Sequence, residues 1–383
     1  MRILQIIPTL DRSGAEKQLT LLACGLPKEE FEVGVCALTR GGPYAADLNR
    51  AGIPVYEIGK KHKFSPAAYY RLKTVIRAFR PDIVHTWIFA ANAYGRAAAA
   101  ACGVTKIVCG ERCVDPWKEP WHLAVDRRLA KKTSVIAANS VGVREFYAER
   151  GIPASLFEII PNAATPLLPS SVSKEEIFRQ LGVRREPGKP LPFLIGLVAR
   201  LWPQKRVRDA VWSAEQLKFT GLDFHLVVIG DGPQRENLLR YRDEIRITDR
   251  VHFVGHRDDV YNFMPHFDLL WSTSEYEGLS NTVMEAMSAG VPVVASDIPG
   301  HRELVVPGET GVLIPEFHGE PIRRRTEFCR ESFFLLQPEA EARRRRMGAA
   351  AKERIETEFG LLQMLRRYAE LYRKLHRQER RCV

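Results

Sequence analysis

The sequence lacks any apolar run approaching the ~20 residues that a membrane-spanning helix needs. Its N-terminal apolar stretch is too short for the core of a secretory signal, and no small-residue cleavage site follows it. We therefore expect a cytoplasmic protein with neither a membrane span nor a cleaved leader.

Cysteine is sparse and follows no pattern. The seven cysteines are odd in number, contain no Cys-x-x-Cys pair and are scattered over positions 24, 36, 102, 109, 113, 329 and 382. This distribution argues against a disulfide framework and against a zinc site of the usual spacing. We expect reduced cysteines.

The chain also lacks a helix-turn-helix, zinc-finger or RNA-recognition signature, which weakens nucleic acid as a partner despite a net charge of +11. Residues 1–165 carry 23 basic against 15 acidic side chains, residues 166–320 carry 17 against 22, and residues 321–383 carry 17 against 9. A basic first half and tail indicate a surface that faces something anionic, such as a membrane or a phosphorylated acceptor. A generally basic surface without such a partner is the alternative.

Short apolar runs alternate with amphipathic stretches along most of the 383 residues, a length that favours two domains. This alternation predicts an α/β fold of two Rossmann-like, doubly wound halves that face each other across a cleft. The predicted strands are residues 2–7, 32–38, 55–58, 82–85, 106–109, 134–138, 158–160, 193–199, 225–229, 251–254, 269–272, 292–296 and 311–314.

Proline and glycine divide the chain. We predict an N-terminal acceptor domain at 1–165, a linker at 166–190 that holds one short polar helix, and a C-terminal donor domain at 191–360. The last segment, 361–383, is predicted to be a helix that packs back on the first domain. Residues 316–337 follow neither the helical nor the strand period, and no element is predicted there.

The stretch EYEGLSNTVMEAMSAG, residues 275–290, places two acids around a helix start. Ser280 is a suitable N-cap, apolar residues follow, and a glycine with a nearby proline ends the helix. Glu277 then precedes a helix N-terminus, which suits a phosphate, and Glu285 lies inside the helix. For an isolated pair of glutamates, a solvated surface helix would be the better interpretation.

Other loops at predicted strand ends carry candidate ligand groups. Gly14 opens a helix after the first strand, and Arg200 and Lys205 follow the first strand of the second half, where two cations suit a pyrophosphate. The motif at 229–233, IGDGP, lacks the third glycine of a dinucleotide fingerprint, so nicotinamide binding is disfavoured. Gly255 ends another strand and is a candidate backbone seat for a nucleobase.

The order of these motifs resembles that of the retaining glycosyltransferases of family 4, which have the GT-B fold. The motifs are SGAE at 13–16, VAR…K at 198–205, IGDGP at 229–233, VGH at 254–256 and EGLSNTVMEAMSAGVPVVASDIPGHRELV at 277–305. The resemblance extends from Arg2 to about Ile314.

The resemblance implies roles for the site residues. Glu277 would lie beside the donor hexose, and Glu285 would accept hydrogen bonds from the nucleotide ribose. Arg200 and Lys205 would neutralise the pyrophosphate, and Gly14 would close over it from the other domain. The backbone amides that face the sugar and phosphates would be those of Gly278, Leu279 and Ser280.

One departure concerns the histidine that many relatives carry after the fifth strand. Here this strand is followed by Glu111 and Arg112. Either residue, or His85 at the end of the fourth strand, is a candidate for that place on the acceptor side. A second departure is Ala163, where the family usually has glycine.

The expected reaction is transfer of a hexosyl group from a nucleoside diphosphate sugar to a hydroxyl, with retention, in the synthesis of a cell-surface glycan or lipid-linked oligosaccharide. A nucleotide-sugar-binding protein and a GT-B phosphorylase or epimerase are the alternatives. No cofactor is expected. Basic residues and the tryptophans at 117 and 121 in the first half suit a lipid-linked acceptor at the inner membrane face.

The chain contains no Asp-x-Asp motif, so we predict a transfer that needs no metal ion. Protein cations and helix amides would stabilise the departing diphosphate in place of a metal. Excess EDTA should leave the transfer rate unchanged in a donor-turnover assay. A rate that falls with EDTA and returns only with manganese or magnesium would contradict this prediction.

Overall fold

The computed structural model describes residues 1–165, 169–184, 188–317 and 319–377. The chain divides into two compact units, one formed by Met1–Ala163 with Leu361–Val383 and the other by Ala164–Gly360. Residues 166–168 and 185–187 of the predicted linker, and 378–383 of the predicted last helix, lie outside the described residues.

The first unit contains one parallel sheet of seven strands covered by helices. Its strands are β1 (Arg2–Ile7), β2 (Glu32–Ala37), β3 (Val55–Glu57), β4 (Ile83–Trp87), β5 (Ile107–Glu111), β6 (Val135–Ala138) and β7 (Phe157–Ile159), in the order β3-β2-β1-β4-β5-β6-β7. Its first six helices are α1 (Gly14–Gly25), α2 (Pro43–Arg50), α3 (Pro66–Phe79), α4 (Ile88–Ala101), α5 (Pro120–Ala130) and α6 (Val141–Ala148).

The second unit contains a parallel sheet of six strands. Its strands are β8 (Phe193–Val198), β9 (Phe224–Ile229), β10 (Val251–Gly255), β11 (Leu269–Ser272), β12 (Val293–Ser296) and β13 (Gly311–Ile314), in the order β10-β9-β8-β11-β12-β13. Its helices are α7 (Lys174–Gln180), α8 (Val207–Lys218), α9 (Arg235–Glu244), α10 (Val260–Phe263), α11 (Asn281–Ser288), α12 (Pro299–Arg302), α13 (Pro321–Leu335) and α14 (Glu341–Glu358).

The predicted α/β class and all thirteen predicted strands are confirmed, with strand ends that differ by at most two residues. The strands were recognisable because a parallel sheet is covered on both faces and its strands are therefore continuously apolar. In β9, for example, all six residues of FHLVVI are buried.

The last helix, α15 (Leu361–Arg377), belongs to the first unit. Its Tyr372 reaches the centre of the first sheet, where Gln5 Nε2 on β1 donates to Tyr372 Oη at 3.2 Å and His85 Nδ1 on β4 lies 2.7 Å from that oxygen. The buried face of α15 consists of Met364, Tyr368, Ala369, Leu371, Tyr372 and Leu375.

Helix α13 corrects the prediction that residues 316–337 form no regular element. The periodicity failed there because a buried position is an arginine. Arg324 is 6% exposed, pairs with Asp209 on α8 and also contacts Glu316 at 2.8 Å. A paired arginine can be buried in this way, but it reads as polar in a hydropathy pattern.

Helices α11 and α14 approach through two glycines. A Cβ atom placed on Gly348 of α14 would lie 1.9 Å from the carbonyl oxygen of Gly290, two residues after the end of α11. This contact is between backbones, so a side chain cannot be accommodated by changing a rotamer. The absence of a side chain at position 348 therefore sets how closely these two helices pack.

We predict that Gly348→Ala destabilises the protein although alanine is the better helix former. The gain in helix propensity is ~1 kcal/mol, whereas overpacking costs about 1–3 kcal/mol or more when backbone atoms must move. The free energy of unfolding, measured by urea denaturation, should fall. The matched control is Ala349→Gly at the exposed neighbour, which should lose only the propensity. A Gly348→Ala variant more stable than the wild type would contradict the prediction.

Candidate functional site

The second sheet has a topological switch point between β8 and β11. β9 lies on one side of β8 and β11 on the other, so the chain leaves these two neighbouring strands in opposite directions. Such a point opens a crevice outside the carboxyl ends of the strands, where ligands of α/β sheets bind. A small pocket lies there, and the residues that line it include Val198, Lys205, Thr273, Ser274, Ser280 and Thr282.

Lys205, which lines this pocket, forms an ion pair with Glu277, and their side chains are only 18% and 11% exposed. Ser274 Oγ donates to Glu277 Oε1 at 2.7 Å. Burial acts to raise the pKa of Glu277, but the charge of Lys205 and hydrogen bonds from Lys205 and Ser274 outweigh it and hold the pKa below its usual value. Glu277 is therefore ionised at neutral pH. An ammonium carries three donors, so Lys205 can keep this contact and still donate to a ligand oxygen.

Hydrogen bonds join the loop after β8 to the loop after β11. Thr273 Oγ1 donates to the carbonyl of Lys205 at 2.8 Å, Gln204 Nε2 donates to the carbonyl of Tyr276 at 2.7 Å, and the amide of Glu275 donates to the carbonyl of Gln204 at 2.8 Å. These hydrogen bonds fix the backbone of one loop relative to the backbone of the other. The Lys205–Glu277 pair is therefore positioned by the loops on which it stands.

His301 is a buried residue of this site that the sequence reasoning missed. Its Nδ1 lies 2.8 Å from the carbonyl of Ser296 and must donate to it, so Nε2 accepts from Ser272 Oγ at 3.1 Å. Burial lowers the pKa of His301, and Lys205 adds to the effect although Glu277 opposes it. A neutral imidazole is thus held in a fixed orientation near the Lys205–Glu277 pair. The residue lies inside the long motif at 277–305, but no spacing rule distinguishes it there.

Gly300 is a second residue that was missed. A Cβ atom on Gly300 would lie 1.8 Å from the carbonyl oxygen of Gly278 and 3.3 Å from that of Glu277. The start of α12 therefore packs directly on the turn that carries Glu277. Its only signal in the sequence was a glycine after a proline at a helix start.

The turn before α11 places several predicted residues together. Gly278, Leu279 and Ser280 are buried, and the Leu279 side chain belongs to the core. Ser280 is the N-cap, and its Oγ accepts from the amide of Val283 at 3.4 Å. Glu285 lies half-buried further along α11. The turn thus presents a helix N-terminus beside Glu277, as the sequence predicted.

Three other predicted residues lie on other segments of the chain. Arg200 is exposed in the loop after β8, and within the described ranges no ion pair or side-chain hydrogen bond is found for it. Gly255 ends β10, two strands from β8, with φ of 76°, and its carbonyl accepts from the amide of Gly230 at 2.8 Å. Gly14 is the first residue of α1 in the first unit.

Of the three acceptor-side candidates, His85 has no exposed surface. Burial and the neighbouring charge of Arg112 lower its pKa, and Tyr368 and Tyr372 pack against its ring at centroid distances of 5.5 and 6.0 Å. In this structure His85 is a core residue. Arg112 follows β5 and is also buried, at 7% exposure.

Glu111 belongs to a buried ionic cluster in the first unit. Lys118 Nζ lies 2.9 Å from Asp126, 3.4 Å from Asp115 and 3.9 Å from Glu111, and Arg96 Nη2 lies 2.6 Å from Asp126. Three carboxyl groups thus share two cations. Burial raises the pKa of Glu111 to about 7, with Asp126 and Asp115 adding to the effect and Lys118 and Arg96 opposing it. Around neutral pH Glu111 is therefore partly protonated.

Two family models match the chain. The model for Glycosyltransferase Family 4 matches residues 12–166, and the model for Glycosyl transferases group 1 matches residues 192–322. The chain belongs to this group 1, family 4 type of glycosyltransferases.

Two curated relatives and one solved structure illustrate the likeness. The lipopolysaccharide core biosynthesis glycosyltransferase LpsD of Rhizobium meliloti is 26% identical over 75% of this chain and 76% of its own length. The 2-deoxystreptamine glucosyltransferase of Streptomyces kanamyceticus is 31% identical over 49% of each chain, so the match spans about half of that relative. Anabaena Alr3699/HepE, in complex with UDP and glucose, has a TM-score of 0.83 at 22% identity and covers 98% of this chain and 100% of its own. The structural likeness confirms the predicted GT-B fold.

The raised pKa of Glu111 predicts a pH-dependent stability. Because folding favours the protonated carboxyl, its contribution to stability is complete below its ordinary pKa of 4.5 and is lost as the pH rises through about 7. Glu111→Gln imitates the protonated side chain at every pH. Between pH 5 and 8 the wild type should lose stability relative to this variant, as measured by urea denaturation.

The control for Glu111→Gln is Glu145→Gln, an exposed carboxyl on α6 whose removal should cause no such pH-dependent difference. A stability difference between wild type and Glu111→Gln that is constant from pH 5 to 8 would show that Glu111 does not titrate there.

Proposed function

We propose that this protein is a retaining glycosyltransferase that moves a hexosyl group from a nucleoside diphosphate sugar to a hydroxyl acceptor. The observation that carries the proposal is the Lys205–Glu277 pair, which stands at a pocket on the switch point beside the N-cap of α11. Family membership supports the reaction class, and the presence of UDP and glucose in the similar Alr3699/HepE structure supports a sugar nucleotide as donor.

In the proposed reaction the largest task is to stabilise charge on the departing diphosphate. Lys205 would donate to a phosphate oxygen while Glu277 keeps it in place, and Arg200 would fold over the diphosphate from its exposed position. The N-terminus of α11 adds partial positive charge. We propose that the leaving phosphate serves as the base for the acceptor hydroxyl, on the same face of the sugar, with no metal ion required.

Substitution of Glu277 and of Glu285 should change different kinetic parameters. Glu285 is proposed to hold the ribose, which does not react, so Glu285→Gln should mainly raise the donor KM. Glu277 is proposed to lie by the hexose, where positive charge develops, so Glu277→Gln should mainly lower kcat. Losing one charge-assisted interaction, worth ~1.5–3 kcal/mol, corresponds to roughly a ten- to hundredfold loss. Steady-state kinetics and calorimetry with the nucleoside diphosphate measure both effects.

Glu275→Gln is the matched control on the same loop. Glu275 pairs with Arg206 at 2.6 Å and its side chain is 49% exposed, so this variant makes the same charge change away from the pocket and should keep normal kinetics. The proposed roles are reversed if Glu277→Gln loses nucleotide affinity while Glu285→Gln keeps it. If neither variant changes binding or rate, the donor site lies elsewhere.

We also propose that the acceptor is part of a cell-surface glycan or a lipid-linked oligosaccharide, reached at an anionic membrane surface. Within the described ranges no helix combines the length and apolar character needed to cross a membrane, so any contact of these residues would be peripheral. Two tryptophans on the first unit support such a contact, because Trp117 and Trp121 are 50% and 47% exposed and α5 continues into exposed arginines and lysines.

The membrane proposal predicts salt-dependent binding. Sedimentation with vesicles rich in acidic lipid should fall steeply between ~0.1 and ~0.3 M salt, where the Debye length drops below ~10 Å. Replacing both tryptophans with serine should weaken the binding that persists at high salt. Equal binding to neutral vesicles, or no binding to acidic ones, would contradict the proposal.

A further inference from the structure

Two buried arginines of the first unit differ in how their charge is balanced. Arg96 is 1% exposed and its Nη2 donates to Asp126 Oδ1 at 2.6 Å. Arg112 is 7% exposed, yet in the described part of the chain no carboxylate lies within ion-pair distance of its guanidinium. A buried cation without a counter-ion is costly, and folded proteins normally pair it.

The groups that touch the Arg112 guanidinium are neutral. Nη1 donates to Tyr368 Oη at 3.1 Å, Nη2 donates to Asn162 Oδ1, and the guanidinium lies 5.0 Å from the centroid of the Trp87 ring. Its Nε is buried and finds no hydrogen-bond partner among the described residues. These contacts fix the plane of the guanidinium while leaving its charge uncompensated.

A second unsatisfied atom lies close to Arg112. Asn139 Nδ2 donates to the Arg112 carbonyl at 2.9 Å, while Asn139 Oδ1 is buried and finds no partner among the described residues. Arg112, Asn139 and Asn162 follow β5, β6 and β7, which are neighbours in the sheet. Polar groups thus collect at the carboxyl edge, where parallel sheets bind ligands.

We propose that Arg112 is the cation of an anion-binding site, and that its ligand is a phosphate or carboxylate carried by the acceptor. A guanidinium held in one plane offers a fork of donors that matches either oxyanion, and an incoming anion supplies the missing counter-charge. The assignment of this anion to the acceptor rests on the proposed function, in which Arg200 and Lys205 of the second unit bind the donor. The anion site itself does not depend on that function.

The test uses inorganic phosphate as the probe and the melting temperature of the full chain as the readout. All measurements are made in a background that carries both Arg200→Ala and Lys205→Ala, so that phosphate at the proposed donor site does not contribute. Phosphate should raise the melting temperature above its value in sodium chloride of equal ionic strength, because a ligand that binds the folded state stabilises it.

Two substitutions, which act by different mechanisms, should abolish the increase in melting temperature caused by phosphate. Arg112→Gln removes the cation, and Asn162→Asp supplies an internal carboxylate of the same shape at an atom that already contacts Arg112. If Arg112→Gln fails to fold, Asn162→Asp alone decides. The control is Arg96→Gln, which breaks the pair with Asp126 and should lower the melting temperature while keeping the phosphate increment.

An increment that survives in Arg112→Gln or in Asn162→Asp would overturn the anion site, as would the absence of any increment in the Arg200→Ala, Lys205→Ala background. A further measurement, made with Arg200 and Lys205 intact, separates the two sources of the anion. If Arg112→Gln keeps its affinity for a nucleoside diphosphate, the site serves the acceptor. If it loses that affinity, the anion is the donor's diphosphate and the acceptor assignment is wrong.

Discussion

Parallel strand pairing is the constraint on which both units depend. A parallel strand can be joined to its neighbour only by a crossover, so helices cover both faces of each sheet and the turns that carry side chains collect at the carboxyl edge. This geometry brings Lys205, after β8, to Glu277, after β11, across 72 residues of sequence. The same geometry places Arg112, Asn139 and Asn162 along one edge of the first sheet.

Buried charged groups occur in three arrangements, which differ in how the charge is compensated. Lys205 and Glu277 form a balanced pair that keeps the carboxylate ionised although both side chains are largely buried. The cluster around Lys118 has one acid in excess, and a proton on Glu111 restores the balance. Arg112 has no carboxylate partner among the described residues, and it cannot lose its proton, because a guanidinium stays charged in proteins. Only the last of these arrangements needs an ion from outside to become neutral.

The sequence was sufficient for the strands because each is a short apolar run between turn residues, a local property. It failed at α13 because Arg324 is buried through Asp209, a partner 115 residues away, and no local pattern reveals such a pairing. Within the site, Lys205 could be selected because it follows a strand end, and Glu277 because it precedes a helix N-terminus. His301 and Gly300 could not, because their roles depend on Ser296 and on the backbone of Gly278. The missing counter-ion of Arg112 is likewise visible only once the chain is folded.

The return of α15 to the first unit has a consequence for how the protein is made. The sheet of that unit is complete by residue 163, but the tyrosines that fill one of its faces arrive only after Gly360. At a synthesis rate of about 5–20 residues per second, the 197 intervening residues take roughly 10–40 s. During this interval Gln5, His85 and Trp87 are not yet covered by the tyrosines of α15, while the second unit can already fold. The core of the first unit can therefore be completed only after the whole second unit has been synthesised.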